Sequence, residues 1–302
     1  MTIIGYLVLG LLFVAGPLSP RDAASVREGK DITDTVKETF KVRPGGTLYL
    51  ELDYGNIEVV TSSGDRVVVE LERTVRVNDE DEARELLERY HEYSIEQDGG
   101  DVTVVSKYQG RGSRWGGNNK NNLKIRVKVE VPFDYNVDFE SGAGNVAVTR
   151  LEGDVSGKTG AGNIDMERVM GAVDITTGAG NINIEGGSSQ VEVNTGAGNV
   201  ELRDVEGSVR ANTGAGNITA YIVRQPEDDS RLETGAGNVT VYLDNGAGVY
   251  VDAVASMGSA SCDFSLEVKG KWMTKSFEGE INGGGPDLFM RAGVGNVSLR
   301  RR

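Results

Sequence analysis

The stretch TGAGNINIEGGSSQVEVN, residues 177–194, is one unit of a repeat that governs the middle of this chain. Its opening phrase TGAGN recurs at Thr159, Thr195, Thr213 and Thr234, with the variants SGAGN at Ser141 and AGVGN at Ala292. The copies at 141, 159, 177, 195 and 213 are 18 residues apart, and the next step, to 234, is 21. A fixed period of this length is typical of a solenoid, in which each repeat forms one coil.

Within one unit, apolar residues alternate with polar ones, as in the pairs Ile182 with Ile184 and Val191 with Val193. This period of two predicts half-buried strands, so each coil should carry two of them. The glycines between the pairs supply a corner, because glycine reaches backbone conformations that are costly for other residues. Stacking such coils with their backbones paired predicts an all-β parallel β-helix with 18-residue coils.

The asparagine of each unit is predicted to be structural. Stacked coils would align these residues in one column, where side-chain amides hydrogen-bond to the coils above and below. The predicted ladder consists of Asn145, Asn163, Asn181, Asn199, Asn217, Asn238 and Asn296. A phosphate-binding loop would need a helix after the glycines, whereas a strand follows here, and calcium-binding repeats carry an aspartate that TGAGN lacks. We therefore predict no cofactor, no metal site and no catalytic residue.

The first 24 residues are predicted to be a secretory signal peptide. Residues Ile3–Leu18 form an apolar run, shorter than the roughly 20 residues that span a bilayer. No lysine or arginine precedes the run, and the segment after it is a poor cleavage site, so an uncleaved N-terminal anchor is the alternative. Either reading predicts an extracytoplasmic protein, located in the periplasm, on the cell surface or secreted.

The remaining chain divides by its patterns into four parts. They are a charged linker at 25–36, an N-terminal β module at 37–140, the regular repeat at 141–243 and irregular C-terminal coils at 244–302. Residues 79–93 of the β module have apolar residues at helical spacing, which predicts one N-terminal amphipathic helix. We expect this helix to cover the start of the solenoid. The last TGAGN variant lies close to the C-terminus, so the chain is expected to end with its final coil.

Two places outside the repeat are predicted to be contact surfaces. The loop QGRGSRWGGNNKNN at 109–122 combines basic residues with an aromatic one, namely Arg111, Arg114, Trp115 and Lys120. Tryptophan and arginine are common anchors of interfaces, although a hairpin tip without a binding role is the alternative. The second place is the irregular stretch around Trp272.

Charge and composition limit the classes of molecule that this protein is expected to bind. The net charge of −14 argues against nucleic acid or an anionic membrane surface as the main partner. The single cysteine, Cys262, cannot form an internal disulfide, and the single histidine, His91, is far from it in sequence, so no thiol–imidazole pair is expected. The expected partners are an envelope polysaccharide or another envelope protein. We expect membrane contact only through the N-terminal segment, if it stays uncleaved.

Several motifs together resemble those of a known family. They are LYLELDYGNIEVV at 48–60, VPF at 131–133, the TGAGN series and GGGP at 283–286. With these motifs, residues 37 to 300 resemble the bacterial putative-adhesin family of β-strand-repeat proteins, a domain family of unknown function. The resemblance implies a single-stranded right-handed parallel β-helix in the cell envelope or outside the cell. It implies no activity and supplies no catalytic residues.

The leading functional hypothesis is a non-enzymatic envelope or secreted protein with a binding or scaffold role. A polysaccharide-active β-helix enzyme is the first alternative, and it would need carboxylates that converge on one face. The outward-facing acids vary from coil to coil: Asp165, Asp174, Glu185, Glu192, Glu201 and Asp204. An accessory of envelope-stress signalling is the second alternative.

Overall fold

Two large β-sheets enclose one hydrophobic core in the computed structural model of the chain. The residues that the structure describes are 26–28, 31–77, 79–109, 123–186, 190–270 and 272–302. Sheet A has 13 strands and sheet B has 12. Most of the inward-facing side chains of both sheets belong to a single core cluster.

The elements follow the order of the chain. The N-terminal part contains β1 (Val26–Glu28), β2 (Asp31–Lys41), β3 (Thr47–Leu52), β4 (Asn56–Thr61), β5 (Arg66–Arg76), α1 (Glu80–Tyr90), β6 (His91–Asp98), β7 (Asp101–Tyr108) and β8 (Lys124–Val131). The repeat region contains β9 (Asn136–Ser141), β10 (Val146–Thr149), β11 (Val155–Ala161), β12 (Ile164–Glu167), β13 (Val173–Ala179), β14 (Ile182–Glu185), β15 (Gln190–Ala197), β16 (Val200–Val205), β17 (Ser208–Ala215), β18 (Ile218–Ile222), β19 (Ser230–Ala236) and β20 (Val239–Leu243). The C-terminal part contains β21 (Val249–Met257), β22 (Ala260–Cys262), β23 (Lys275–Ile281), β24 (Asp287–Val294) and β25 (Val297–Arg301).

Each repeat unit contributes one strand to each sheet, and equivalent residues of successive coils lie side by side. Ile164 of β12 pairs in parallel with Ile182 of β14, and Val173 of β13 pairs with Val191 of β15. The inward residues are buried and the outward ones are at least partly exposed, as the alternation requires. The repeat therefore builds a regular stack in the middle of both sheets.

The predicted single-stranded right-handed parallel β-helix with an N-terminal amphipathic helix is wrong, although the all-β class is correct. Both sheets are mixed: β2, β5 and β8 pair antiparallel at one end of sheet A, as do β6 with β7 and β21 with β23 in sheet B. The prediction failed because the 18-residue period exists only in the middle of the chain. Outside it, β6 and β7 form a hairpin, which a short turn can close. Strands β2 with β5 and β5 with β8 also pair antiparallel, although other elements separate them in the chain.

Helix α1 is an internal connection between the sheets, joining β5 of sheet A to β6 of sheet B. Asp79 caps its first turn, accepting hydrogen bonds at Oδ1 from the backbone N–H groups of Asp81 and Glu82, both at 2.9 Å. Its apolar face forms a small second core, which includes Val75 and Leu87. No helix in the described ranges is long and apolar enough to cross a membrane.

The segment expected to be a linker at 25–36 contains strands instead. The longer one, β2, pairs with β5 along its whole length, from Asp31 opposite Arg76 to Lys41 opposite Arg66. Asp31 and Asp34 of this segment therefore lie on a sheet, where they form ion pairs with Arg76 and Arg73 of β5. High charge density alone did not prevent strand formation, because the inward face still carries Ile32, which is buried.

Near each end of the stack, one coil lies out of chain order, between the outermost coil and the regular repeat. Strand β24 lies between β19 and β21, and β25 lies between β20 and β22. The coil formed by β21 and β22 is therefore farther out than the coil nearest the C-terminus, so the expectation that the chain ends with its final coil is wrong. At the other end, β3 and β4 lie between the β7–β8 coil and the β9–β10 coil in the same way.

Candidate contact surface

The TGAGN corner uses its polar atoms within the stack. Thr195 Oγ1 donates a hydrogen bond to the carbonyl oxygen of Gly180 at 3.0 Å, and the N–H of Gly180 donates to the carbonyl oxygen of Ala197 at 2.9 Å. Asn181 Oδ1 accepts from the backbone N–H of Asn199 at 2.8 Å. All three bonds join one coil to the next, so the corner holds the stack together.

The same asparagine bond runs through eight coils. In each step, the side-chain oxygen of one asparagine accepts from the backbone N–H of the next. The series is Asn56, Asn145, Asn163, Asn181, Asn199, Asn217, Asn238 and Asn296. It ends where Asn296 Oδ1 accepts from the N–H of Ser259 at 2.9 Å. Three of the predicted residues, Asn217, Asn238 and Asn296, also donate through Nδ2 to the side-chain oxygen of the asparagine before them.

The residues predicted to make contacts lie in two places. Arg111, Arg114, Trp115 and Lys120 lie outside the described residues. Trp272 is described and is 95% exposed. It stands in the connection between β22 and β23, and its φ of 56° is unusual for a residue other than glycine.

Trp272 belongs to a group of exposed apolar side chains that we call the C-terminal apolar corner: Met257, Trp272, Met273 and Val294. Met257 and Val294 are partners in adjacent parallel strands, and the N–H of Gly258 donates to the carbonyl oxygen of Met273 at 3.1 Å. Met257, Met273 and Val294 are 46%, 63% and 49% exposed. This is a concentration of apolar surface at one end of the stack.

The corner arises where the small alanine of TGAGN is replaced. In the parallel register, Ala236 is followed by Val294 and then by Met257 at the outermost coil. Earlier coils keep alanine at this position, as in Ala179 and Ala197. The large side chains are therefore confined to the last two coils of the stack.

Basic residues flank the tryptophan in the sequence. The segment KGKWMTK, residues 269–275, contains three lysines and no acidic residue. Lys275 Nζ donates to the carbonyl oxygen of Gly270 at 3.2 Å. Lys269 Nζ lies 3.5 Å from Glu278 Oε1, and both side chains are more than half exposed, so this ion pair is weak. The segment that carries Trp272 is therefore basic in sequence, with one lysine paired to an acid outside the segment.

The outward-facing acidic residues considered for a polysaccharide-active enzyme lie on both sheets. Asp165, Glu185 and Glu201 line a shallow open groove on sheet A, whereas Asp174 and Glu192 lie on sheet B. In the groove, Asp165 Oδ1 accepts from Asn183 Nδ2 at 2.7 Å, and Glu201 pairs with Arg203 at 2.7 Å. The sixth acid, Asp204, forms an ion pair with Arg302 at 2.7 Å. Among the described residues, no three His, Cys, Asp or Glu side chains are grouped so that they could hold a metal ion.

The structure contains a buried polar pair at the N-terminal end that the sequence did not predict. His91 Nε2 and Ser106 Oγ are 2.8 Å apart, and both residues are buried. Burial, with the nearby charge of Arg73 as a second cause, lowers the pKa of His91 to about 4. The distance suits a nucleophile and its base, but a buried Ser106 Oγ cannot meet a substrate, so the pair is structural. No local motif signals it, because the β6–β7 hairpin brings the two residues together.

Cys262 is half-buried in β22 and forms no disulfide. Burial is the main cause that raises the pKa of its thiol. A raised pKa keeps the sulfur protonated and therefore weakly nucleophilic.

The fold and the corner define an all-β repeat protein, built from two large sheets with a cluster of exposed apolar side chains at one end. The chain belongs to the Toastrack DUF4097 family, whose pattern matches residues 48–284. The resemblance to a β-repeat family is thereby confirmed at the level of the family. No curated protein matches this sequence.

Several solved structures are similar to this chain at low sequence identity. A "putative adhesin" from Bacteroides fragilis is 11% identical, with 89% of this chain and 97% of that chain covered and a TM-score of 0.48. A "putative lipid binding protein" from Parabacteroides distasonis is 13% identical, with 87% and 96% covered and a TM-score of 0.41. A "putative adhesin" from the same species is 11% identical, with 89% and 97% covered and a TM-score of 0.34.

Proposed function

We propose that this protein is a non-enzymatic, adhesin-like binding or scaffold protein that works outside the cytoplasm and makes contact through its C-terminal apolar corner. The observation that carries the proposal is the concentration of exposed apolar side chains at this corner, led by Trp272. Exposed apolar groups that cluster rather than scatter mark interaction sites.

The rest of the fold supports a scaffold role. Twelve or thirteen strands at a spacing of about 4.8 Å give a stack roughly 55 Å long. The parallel ladders and the asparagine series make this stack continuous from coil to coil. A stack of this kind holds its two ends at a constant separation, which suits a spacer with a binding end.

The apolar run at Ile3–Leu18 supports an extracytoplasmic location, as either a signal peptide or an anchor. An envelope polysaccharide and another envelope protein are the partners that this location offers. Tryptophan serves either partner, because its ring stacks on sugars and anchors protein interfaces.

The test is cosedimentation of the full chain with purified peptidoglycan, envelope polysaccharide and envelope protein, with mass spectrometry of the soluble products. We expect retention on envelope material without release of sugar fragments, and weaker retention for Trp272→Ala. Tyr250→Ala is the matched control, because Tyr250 is also exposed but lies outside the corner. Equal retention of the wild type and Trp272→Ala would contradict contact of the corner with these polymers and with envelope protein.

The sheet A groove favours a second candidate, a polysaccharide-active enzyme, because Asp165, Glu185 and Glu201 converge there. This candidate requires released fragments in the same assay and their loss in Asp165→Asn. A product-free reaction mixture after prolonged incubation would exclude it for the polymers tested.

A further inference from the structure

We propose that the C-terminal apolar corner docks on the surface of an anionic lipid bilayer, with Trp272 and Met273 entering the headgroup region. The proposal rests on the proposed function, since it takes the corner as the contact surface, and it names a lipid bilayer instead of a polymer or a protein as what that surface contacts. Net charge alone disfavours such a partner for this acidic chain, so the attraction to the bilayer must come from the side chains of the corner.

The apolar side chains suit a bilayer interface. Trp272 combines a large apolar ring with an N–H group that needs a polar partner, and such side chains collect at the level of the headgroups. Met257 and Met273 are unbranched and adapt to an irregular surface such as the headgroup layer. Trp272 is almost fully exposed, so its ring can enter the interface before the protein backbone reaches the lipid.

The lysines provide charge complementarity. Lys269 and Lys275 flank the exposed Trp272–Met273 pair, and Lys271 precedes the tryptophan in sequence. Lysine keeps its ammonium group in the polar layer while its alkyl chain lies along apolar groups. Anionic headgroups attract such basic residues, and the attraction extends only over about one Debye length. The lysines beside Trp272 in sequence therefore supply the attraction to the headgroups, which Glu278, 3.5 Å from Lys269, partly offsets.

The small size of the corner disfavours a folded protein as its partner. A stable protein interface uses about 20 to 30 residues on each side. The corner offers four apolar side chains, two at the ends of β21 and β24 and two in the connection between β22 and β23. A bilayer does not require an extended matching surface, because it accommodates a small group of side chains wherever they insert.

The corner and the first described strand lie at opposite ends of the stack. Strands β22 and β23 are the last strands of sheets A and B at the C-terminal end, whereas β1 is the last strand of sheet A at the other end. A probe placed at the corner therefore reports on lipid contact at this end of the stack.

The test uses Trp272 as that probe in the full chain. Trp115→Phe removes the only other tryptophan. We expect Trp272 emission to shift to shorter wavelength with vesicles that mix phosphatidylglycerol and phosphatidylcholine, and brominated lipid should quench it. Vesicles of phosphatidylcholine alone should give a much smaller shift, and added salt should weaken the response.

Three variants define the contributions, each with circular dichroism to confirm its fold. Trp272→Ala should lower cosedimentation with the mixed vesicles by roughly tenfold or more. Lys269→Gln with Lys275→Gln should lower it by roughly tenfold and remove the preference for phosphatidylglycerol. Tyr250→Ala, an exposed aromatic residue outside the corner, should leave it unchanged.

Unchanged Trp272 emission with the mixed vesicles would overturn the lipid assignment. An equal response to both kinds of vesicle would overturn its anionic part. Concentration-dependent self-association that Trp272→Ala abolishes, without an emission change on lipid, would assign the corner to a second copy of the chain. Trp272-dependent binding to envelope polymer without a vesicle response would leave the proposed function standing, whereas loss of both kinds of binding would remove both proposals.

Discussion

The close approach of successive corners makes Gly180→Ala a sharp test of how the coils are stacked. Gly180 has a φ of +154°, and a Cβ added to it would lie 2.0 Å from the carbonyl oxygen of Gly162 in the coil before it. That oxygen belongs to the backbone, so no side-chain rotation can relieve the contact. The two coils would have to separate locally by about the missing distance, which is more than 1 Å for a normal contact of ~3.2 Å.

The cost follows from what that separation breaks. The corner bonds from Gly162 N–H to Ala179 and from Ile164 N–H to Asn181, both 2.9 Å long, join the same two coils. The bond from Asn181 N–H to Asn163 Oδ1 lies beside them. Losing two or three such bonds costs about 1 kcal/mol each, and the backbone conformation adds about 1 to 3 kcal/mol for a residue with a Cβ. We expect Gly180→Ala to lower the free energy of unfolding by about 3 to 6 kcal/mol.

The assay is urea unfolding followed by circular dichroism, combined with hydrogen exchange of the backbone amides. A repeat stack can lose one region before another, so the exchange data are needed to show where protection is lost. We expect reduced protection in β12 and β14, which the altered corner joins, and normal protection in β3 and β4.

Two glycines outside the repeat provide controls. Gly45 has a φ of +76° with no atom within 4 Å of an added Cβ, so Gly45→Ala reports the conformational cost alone. Gly64 has open space and no positive φ, so Gly64→Ala should be neutral or slightly stabilising. If Gly180→Ala costs no more than Gly45→Ala, the close contact between corners does not limit the spacing of the coils.

Three further tests address packing, pH and the order of the coils. Gly157→Val should lower the free energy of unfolding by about 1 to 3 kcal/mol, because Phe139 of the neighbouring coil occupies the space that the new side chain needs. Adding Phe139→Leu should restore most of the lost stability. Purely additive effects of the two substitutions in this double-mutant cycle would contradict the packing. The pKa of His91 is lowered from 6.5 to about 4, so between these pH values the unfolded chain binds a proton that the folded chain excludes. Stability should therefore fall by up to about 3 kcal/mol as the pH drops through this range, and His91→Gln should show a flatter profile of urea midpoints; parallel profiles would rule out this role. Deleting residues 287–302 removes β24 and β25, which lie between the outermost coil and the rest of the stack. We expect β21 to lose amide protection and β13 to keep it. Full protection of β21 in the shortened chain would refute the inserted position of β24 and β25.

Local features of the chain were predictable wherever neighbours in sequence decide them. The alternation at Ile182 and Ile184 predicted which side chains are buried, because successive residues of a strand face opposite sides. The helix predicted at 79–93 is found at Glu80–Tyr90, and it begins where Asp79 caps it. The parallel register of the coils followed from the equal spacing of the TGAGN copies.

The direction and order of the outer strands were not predictable in this way. A period of two looks the same in a parallel and an antiparallel strand, so the sequence of β2 did not reveal its antiparallel pairing with β5. The insertion of β24 between β19 and β21 depends on a comparison of pairings between segments far apart in the chain. Only the whole stack decides which pairing has the lower free energy.

The amino-acid sequence by itself determined the all-β class, the 18-residue coil and the corner made by TGAGN, because each follows from the conformational preferences of residues that are close in the chain. Trp272 was also recognised from sequence, as an aromatic residue in an irregular stretch. Only the tertiary structure decided that Met257 lies beside Val294 and that both lie near Met273, the residue after Trp272. Strand pairing and one backbone hydrogen bond bring these segments together, although they are distant in sequence. The candidate contact surface exists because the last coils of the chain exchange their order in space.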